Sequence, residues 1–585
     1  MAMVAEAISM KHRWIPVAVL LAAVLGAYHN SVGGVLFWDD NETIVNNVYV
    51  QNPKYIEEVF RTSYHSGSGN LSPNYRPLTT LTFMVDYQLW KLKPFGYHLT
   101  NLLIHAMCVL LLFSLFKRIT GDSRVACLAG LLFGVHPINS EAVNYVSNRT
   151  DLLMLFFFLL GFLSYIRFRL KGNRFYLALT ALFYVFSLLS KEMGVVLPLF
   201  LILYDRAVHP NNRSSVVPET GSSGTDRSRV KKARQALAHR RKPPVVAYWI
   251  FGILFAIYAL LRATVLNFHK LNLLTQGVQP RSYTDSLIMR VLVFAKGSLT
   301  YLKLFFWPVN LVVEYPTPSI SSWHDPSGWL AAVVFGGFIT LLFLAGRKRW
   351  VITFGAGWFL LGLLPVTGIV VPLKYPVSEH YLYLASAGIF LCASALLWGF
   401  IDNCRDKRIR TVTMAAAGIV LSVFVGLTFY RNEDWKSRLK LFQGVLARND
   451  NSYMAHSHVA IHYYKESQWD KAQEHFEKAD KLYPNYAITK SNLGCVAMAK
   501  ENYVQAEKYF KEAIGLNKRY PDPRRNLADI YIRQGRYGEA MEQIQFLLKE
   551  FPEHPQGRWA AEAQRVVIER MRQAQELKGV SSEAK

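Results

Sequence analysis

Charge is scarce in this chain, and cysteine scarcer still. Only 18% of its 585 residues are charged, while 51% are hydrophobic and 14% aromatic, a composition too apolar for a string of ordinary soluble domains. The five cysteines, Cys108, Cys127, Cys392, Cys404 and Cys495, show no CxxC and no paired spacing. That pattern indicates neither a zinc site nor a disulfide framework. No small-x-small cleavage site follows the apolar run from Trp14 to Tyr28, so this run, preceded by Lys11 and Arg13, reads as a retained signal anchor. Neither a glycine-rich nucleotide loop nor a charge-relay nucleophile is present. The formal net charge is +25, but no aromatic-plus-basic recognition motif accompanies it, which excludes nucleic acid as the partner. The basic residues gather in short segments between apolar runs, as cytoplasmic loops do.

Long apolar runs are what the chain has in abundance. A hydrocarbon core about 30 Å thick calls for roughly 20 apolar helical residues. On that measure eleven spans are expected, near 14–30, 98–116, 124–138, 151–167, 175–190, 194–206, 246–264, 329–346, 350–369, 382–401 and 411–430. The even-numbered gaps all carry Lys and Arg, such as Lys117, Arg118 and Arg124, or Arg347 to Arg349, so the amino terminus is expected inside and the carboxyl terminus outside. Residues 207–245, Ser/Gly-rich and then strongly basic, read as a disordered cytoplasmic loop whose charge sets topology, with contact to anionic lipid as the alternative. Residues 265–328 read as an external loop with interfacial or re-entrant helices, because Pro308, Arg290, Lys296 and Lys303 interrupt the apolar stretch Val291 to Val313.

After the membrane region, taken as 1–430, the sequence turns hydrophilic and repeats itself. Ala472, Ala506 and Ala540 stand 34 residues apart, as do Trp469, Tyr503 and Tyr537, and Phe476, Phe510 and Ile544 follow each alanine by four. A small residue at that period lets two antiparallel helices approach, and the large residues fill the neighbouring groove. Residues 431–577 are therefore expected to form a tetratricopeptide (TPR) α-solenoid on the non-cytoplasmic side, with 578–585 a disordered tail. The fold class is all-α: a polytopic helical membrane domain followed by a solenoid of the kind that binds peptides or proteins.

Ionisable residues at the ends of membrane spans are costly to place and often functional. Three clusters fall on the external side: Asp39 and Asp40 in FWDDNE; His136, Glu141, Arg149 and Asp151 in HPINSEAVNYVSNRTD; and Glu379 and His380 in SEHYLYLAS. Arg76, Asp86, Lys191 and Glu192 complete the set. Some have a plainer reading: Asp39 and Asp40 as a helix cap or solvated loop start, His380 as a packed, hydrogen-bonded side chain, Lys191 and Glu192 as mutually neutralising. Together they offer carboxylates for a base and cations for an anionic leaving group.

The order FWDD, NYRPLTTLTFMVDYQLW, PFGYHLTNLLIHA, FGVHPINSEAVNYVSNRTDLL, LLSKEMGVVLPL and SEHYLYLASAG resembles the transmembrane and tetratricopeptide-repeat O-mannosyltransferases and their prokaryotic relatives, in the C-type glycosyltransferase superfamily. The resemblance implies an inverting transferase that uses a polyprenyl-phosphate-linked sugar, mannose in the animal members, with Asp39 and Asp40 at the catalytic centre. One of the two would act as general base toward an acceptor Ser or Thr hydroxyl. Arg149, Arg76, Lys191 and His380 would balance the charge of the donor phosphate. Glu141, Asp151, Glu192 and Glu379 would orient those cations or hold a divalent cation, although no motif compels a metal, and His136 would join the same site. The partners implied are a polyprenyl- or dolichyl-phosphate sugar, an acceptor protein held by the repeats, and membrane lipid. The short repeat array and the VPLKYPVSEHYLYL segment look more like a bacterial member, so the expected location is a bacterial inner membrane in preference to an endoplasmic reticulum. Two rival classes are a non-catalytic membrane-anchored scaffold or assembly factor, and a polysaccharide polymerase or transporter.

Overall fold

A computed structural model describes residues 2–69, 72–207, 245–267, 286–347, 349–373 and 375–583. The basic loop expected at 207–245 lies almost wholly outside the described residues, as does part of the external loop expected at 265–328. The chain packs into two compact units. One comprises Met1–Gly34, Pro94–Thr264 and Arg281–Lys436, and the other Val35–Lys93, Val265–Pro280 and Ser437–Lys585.

The first unit is a bundle of apolar helices. Among the described residues seven are long and apolar enough to cross a membrane: Trp14–Gly33, Pro94–Thr120, Val146–Lys171, Val245–Ala263, Pro326–Gly346, Glu379–Asn403 and Lys407–Lys436. An eighth arises if the bent pair Ser123–Val135 and Pro137–Asn144 counts as one span. The expectation of eleven is corrected accordingly. Helices occupy all eleven expected segments, but Arg174–Ser190, Leu197–Ala207 and Trp350–Leu363 have 17, 11 and 14 residues. At about 1.5 Å per residue these fall short of a core about 30 Å thick. The 55° bend has a local cause. Pro137 cannot continue the hydrogen-bond ladder, and His136 starts the next turn by accepting the Ile138 N–H on Nδ1 at 3.2 Å.

Small residues and aromatics set the packing. A Cβ on Gly355 would stand 2.7 Å from the Gly388 carbonyl oxygen, so only glycine lets Trp350–Leu363 and Leu382–Asn403 approach this closely. Beside that contact the Trp358 ring lies parallel to Phe162 and edge-on to Phe116, Phe158 and Phe200. The helix Leu287–Phe306 carries the three cations that interrupt its apolar sequence. Two of them end on loop groups: Arg290 donates to the Ile369 carbonyl at 3.1 Å, and Lys296 to the Ser319 carbonyl at 2.8 Å.

The second unit joins the segment Val35–Lys93 to the repeats. Its helices pair as Tyr453–Lys465 with Trp469–Leu482, Ala487–Ala499 with Tyr503–Leu516, and Pro521–Arg533 with Tyr537–Glu550. Ala472, Ala506 and Ala540 are fully buried at the crossings, and Phe476, Phe510 and Ile544 fill the grooves beside them. Gly494 serves the same end, since a Cβ there would stand 2.6 Å from the Phe510 ring. The closing helix runs from Pro555 to Glu583, past the boundary expected at 577.

Candidate functional site

In the first unit, the break between the bent helices gathers most of the expected polar residues. The sequence HPINSEAVNYVSNRTD folds as a series of short turns, Pro137–Asn139, Ser140–Asn144 and Val146–Asn148, before the long helix Arg149–Lys171. Every side chain from His136 to Asp151 is buried. Glu141 and His380 meet here, with Oε1 and Nδ1 2.6 Å apart, and the Ser378 hydroxyl is 2.8 Å from the same ring nitrogen. Glu379, the neighbour of His380, accepts the Tyr315 hydroxyl at 2.7 Å. Desolvation, with the Glu379 charge adding to it, pushes that phenol well above its ordinary pKa.

Lys191 ends the helix Arg174–Ser190 and places Nζ 2.7 Å from Asp151 Oδ2, whereas Glu192 beside it in sequence is exposed. Lys191 therefore finds its counter-charge across the fold. Arg149 is fully buried and donates through Nε to Asn101 Oδ1 at 2.8 Å and through Nη2 to the Tyr97 carbonyl at 2.9 Å. His136 does not join the carboxylates. Its Nδ1 takes the Ile138 N–H, its Nε2 lies 3.1 Å from the Phe305 carbonyl, and its ring packs 4.4 Å from Phe424.

Sequence reasoning missed Arg431 and Asn432. The Arg431 guanidinium is buried, bonds Asp434 at 3.1 Å, and acts electrostatically on Glu141 and Glu379. Asn432 accepts from Asn144 Nδ2 at 2.7 Å and donates to the Ala27 carbonyl at 2.8 Å. The signal was present as RNED at the end of an otherwise apolar helix.

The second unit holds Asp39, Asp40, Arg76 and Asp86. Trp38 adopts φ +61°, a left-handed conformation rare for a large side chain, and the chain turns sharply there. Aromatic packing holds it: the indole lies 5.8 Å from Phe442 and 6.0 Å from His458, and those two rings stack at 4.1 Å. Asp40 is buried and accepts the Phe37 N–H at 3.1 Å, so one of the two acids serves as a local cap, while Asp39 is exposed. Asp39 and Arg76 share a neighbour in His65, whose pKa desolvation lowers, with Asp39 raising and Arg76 further lowering it. Tyr486 of the repeats is raised by desolvation first, with Tyr453, Asp39 and Glu42 adding. Asp86 is buried within the helix Pro77–Trp90. Among the described residues no group of three His, Cys, Asp or Glu is arranged to hold a metal ion.

Residues 48–266 match the family model described as dolichyl-phosphate-mannose-protein mannosyltransferase, and 497–564 match a tetratricopeptide-repeat model. The first match contains Arg76, the block from His136 to Asp151, and Lys191. Similar proteins include protein O-mannosyl-transferase F38B6.6 of Caenorhabditis elegans, 24% identical over 80% of this chain and 63% of that one. Human protein O-mannosyl-transferase TMTC3 is 24% identical over 80% of this chain and 51% of that one, and mouse TMTC4 27% identical over 74% and 62%. The chain is related to these animal proteins. It is a membrane protein that joins a mannosyltransferase-type region to tetratricopeptide repeats, and it spans between half and two thirds of the length of the relatives named. Relatives from worm, fly, mouse and human overturn the bacterial assignment, and with it the bacterial inner membrane as the expected location. A solved structure, the APC/C hetero-tetramer Cut9-Hcn1, covers 84% of this chain at 13% identity and a TM-score of 0.23, too little to bear on the fold.

Proposed function

We propose that this protein transfers a mannose-like sugar from a polyprenyl-phosphate donor to Ser or Thr hydroxyls of protein acceptors on the non-cytoplasmic face of its membrane, with inversion at the anomeric carbon. The match of residues 48–266 to the mannosyltransferase model is the observation that carries this reading. In the reaction the acceptor oxygen bonds to the anomeric carbon as the bond to the phosphate oxygen breaks. Asp39 or Asp40 takes the hydroxyl proton, a contribution of about 10²–10⁴-fold for a positioned base. Asp39, exposed at a turn braced by aromatic packing, suits that role better than Asp40, which already caps the Phe37 N–H.

The lipid phosphate leaves as an anion, and fixed cations lower the barrier by meeting that charge. Arg76, Arg149, Lys191 and His380 are the side chains assigned to it, with Glu141, Asp151, Glu192 and Glu379 in supporting roles. The part-buried pair Glu141–His380 and the buried pair Lys191–Asp151 favour a preset arrangement. Incubating the purified full chain with polyprenyl-phosphate mannose and a Ser/Thr peptide tests the whole reading. Release of polyprenyl phosphate matched by glycopeptide is expected from the wild type and lost in Asp39→Asn. Wild-type activity in both Asp39→Asn and Asp40→Asn would remove both acids from the mechanism.

A further inference from the structure

The second unit contains a cavity of about 390 Å³ that the reaction above does not use. One side comes from the segment after FWDDNE, with Tyr49 and Tyr55, whose ring centroids lie 5.2 Å apart at 44°. The other comes from both ends of the third repeat, with Arg519 just before it and Glu550, Phe551 and Pro552 at its close. Two glycines let the walls approach closely. Gly69 has φ +78°, and a Cβ there would stand 3.1 Å from the Phe551 ring, while a Cβ on Gly67 would stand 2.9 Å from the Tyr49 ring. Between these glycines Ser68 donates its hydroxyl to Glu42 Oε2 at 2.7 Å, and Glu42 lies three residues past Asp39. A hydrogen bond thus ties the cavity wall to the turn that carries the proposed base.

The chemistry of the lining selects the occupant. Its acid and guanidinium groups already have partners within the chain: Arg519 lies 3.7 Å from Glu550, and Glu553 lies 3.6 Å from Lys54 outside the lining. What remains is an apolar, aromatic wall with a polar rim, the pattern of anchor pockets in protein interfaces. The volume falls in the range of small-ligand pockets and suits one large side chain with its flanking backbone. We propose that this cavity anchors the polypeptide acceptor by an aromatic or bulky apolar side chain a few residues from the hydroxyl that receives the sugar. The inference rests on the transfer reading above and adds a sequence preference to it.

Binding measured separately from turnover tests it. Fluorescence anisotropy of the full chain in detergent, with a labelled threonine peptide carrying one phenylalanine and with its glycine counterpart, should show the phenylalanine peptide bound about tenfold tighter. Tyr55→Ala should abolish that preference and Tyr55→Phe retain it. Equal affinity for the two peptides, or a preference that survives Tyr55→Ala in a folded protein, overturns the proposal, as does displacement of the peptide by methyl mannoside, which would make the cavity a sugar site. A preserved peptide preference in a protein that transfers no sugar would sink the enzymatic reading and leave the anchor standing.

Discussion

Lys191 Nζ lies 2.7 Å from Asp151 Oδ2, and both side chains are almost wholly buried, 7% and 1% exposed. Two opposite charges taken out of water hold each other in place, and removing one strands the other. Lys191→Met is therefore expected to destabilise the first unit by about 3–5 kcal/mol, and the pair Lys191→Met with Asp151→Leu to recover most of it. Thermal unfolding in detergent reads the difference. A pair that serves only the fold would leave the rescued double variant active. A double variant that is stable but inactive assigns the pair to the transfer reaction.

Much of this was legible in the chain itself, for reasons that differ by element. The repeats declare themselves because Ala472, Ala506 and Ala540 must be small at a fixed period, and a 34-residue spacing has few other causes. The apolar segments are equally visible, but their lengths are not: what ends Arg174–Ser190 is the local turn at Lys191, and what breaks the third segment is Pro137. Pairings lay furthest out of reach. Lys191 looks to Glu192 in sequence and to Asp151, forty residues away, in the fold. Arg431 carries no motif in the sequence, and only the fold shows it buried where its charge acts on Glu379.

Trp38 offers a test of whether backbone geometry aims the proposed base. Its φ of +61° persists because Phe442 and His458 hold the indole. Trp38→Ala removes that hold and lets the turn relax to an ordinary conformation, moving Asp39. A shift of about 1 Å costs on the order of 10²-fold in turnover, so sugar transfer should fall by that factor while donor binding is unchanged. Trp38→Phe, which keeps ring contacts, should fall much less. Full activity in the alanine variant would separate this turn from catalysis.

Acid should loosen the repeats through Glu507. Arg536 grips this carboxylate from both sides, at 2.6 and 3.1 Å, and holds its pKa down at about 2 from an ordinary 4.5. Because the folded value lies below the unfolded one, the stabilisation is present above about pH 4.5 and is lost as pH falls toward 2. Glu507→Gln should lower the urea midpoint of the full chain at neutral pH and converge on the wild type in acid. The effect should be modest, since Arg536 lies near solvent and the pair is screened. An offset between the two proteins that does not shrink on acidification would mean the carboxylate contributes by packing alone.

Asn432 gives the sharpest ordering of variants. Its amide nitrogen donates to the Ala27 carbonyl and to Asn30 Oδ1, both at 2.8 Å, and its oxygen accepts from Asn144 Nδ2 at 2.7 Å. Asn30 cannot turn its amide round to compensate, because its own nitrogen is spent on the Phe429 carbonyl at 2.9 Å and Glu433 at 2.6 Å. Asn432→Ala leaves buried groups unpaired, at about 1–3 kcal/mol for each one left unsatisfied. Asn432→Asp keeps the contact with Asn144 but sets a carboxylate oxygen against two acceptors, which costs more than an empty place. Melting temperatures should therefore fall in the order wild type, alanine, aspartate. An aspartate variant more stable than the alanine one would show that the amide is not oriented as these distances require.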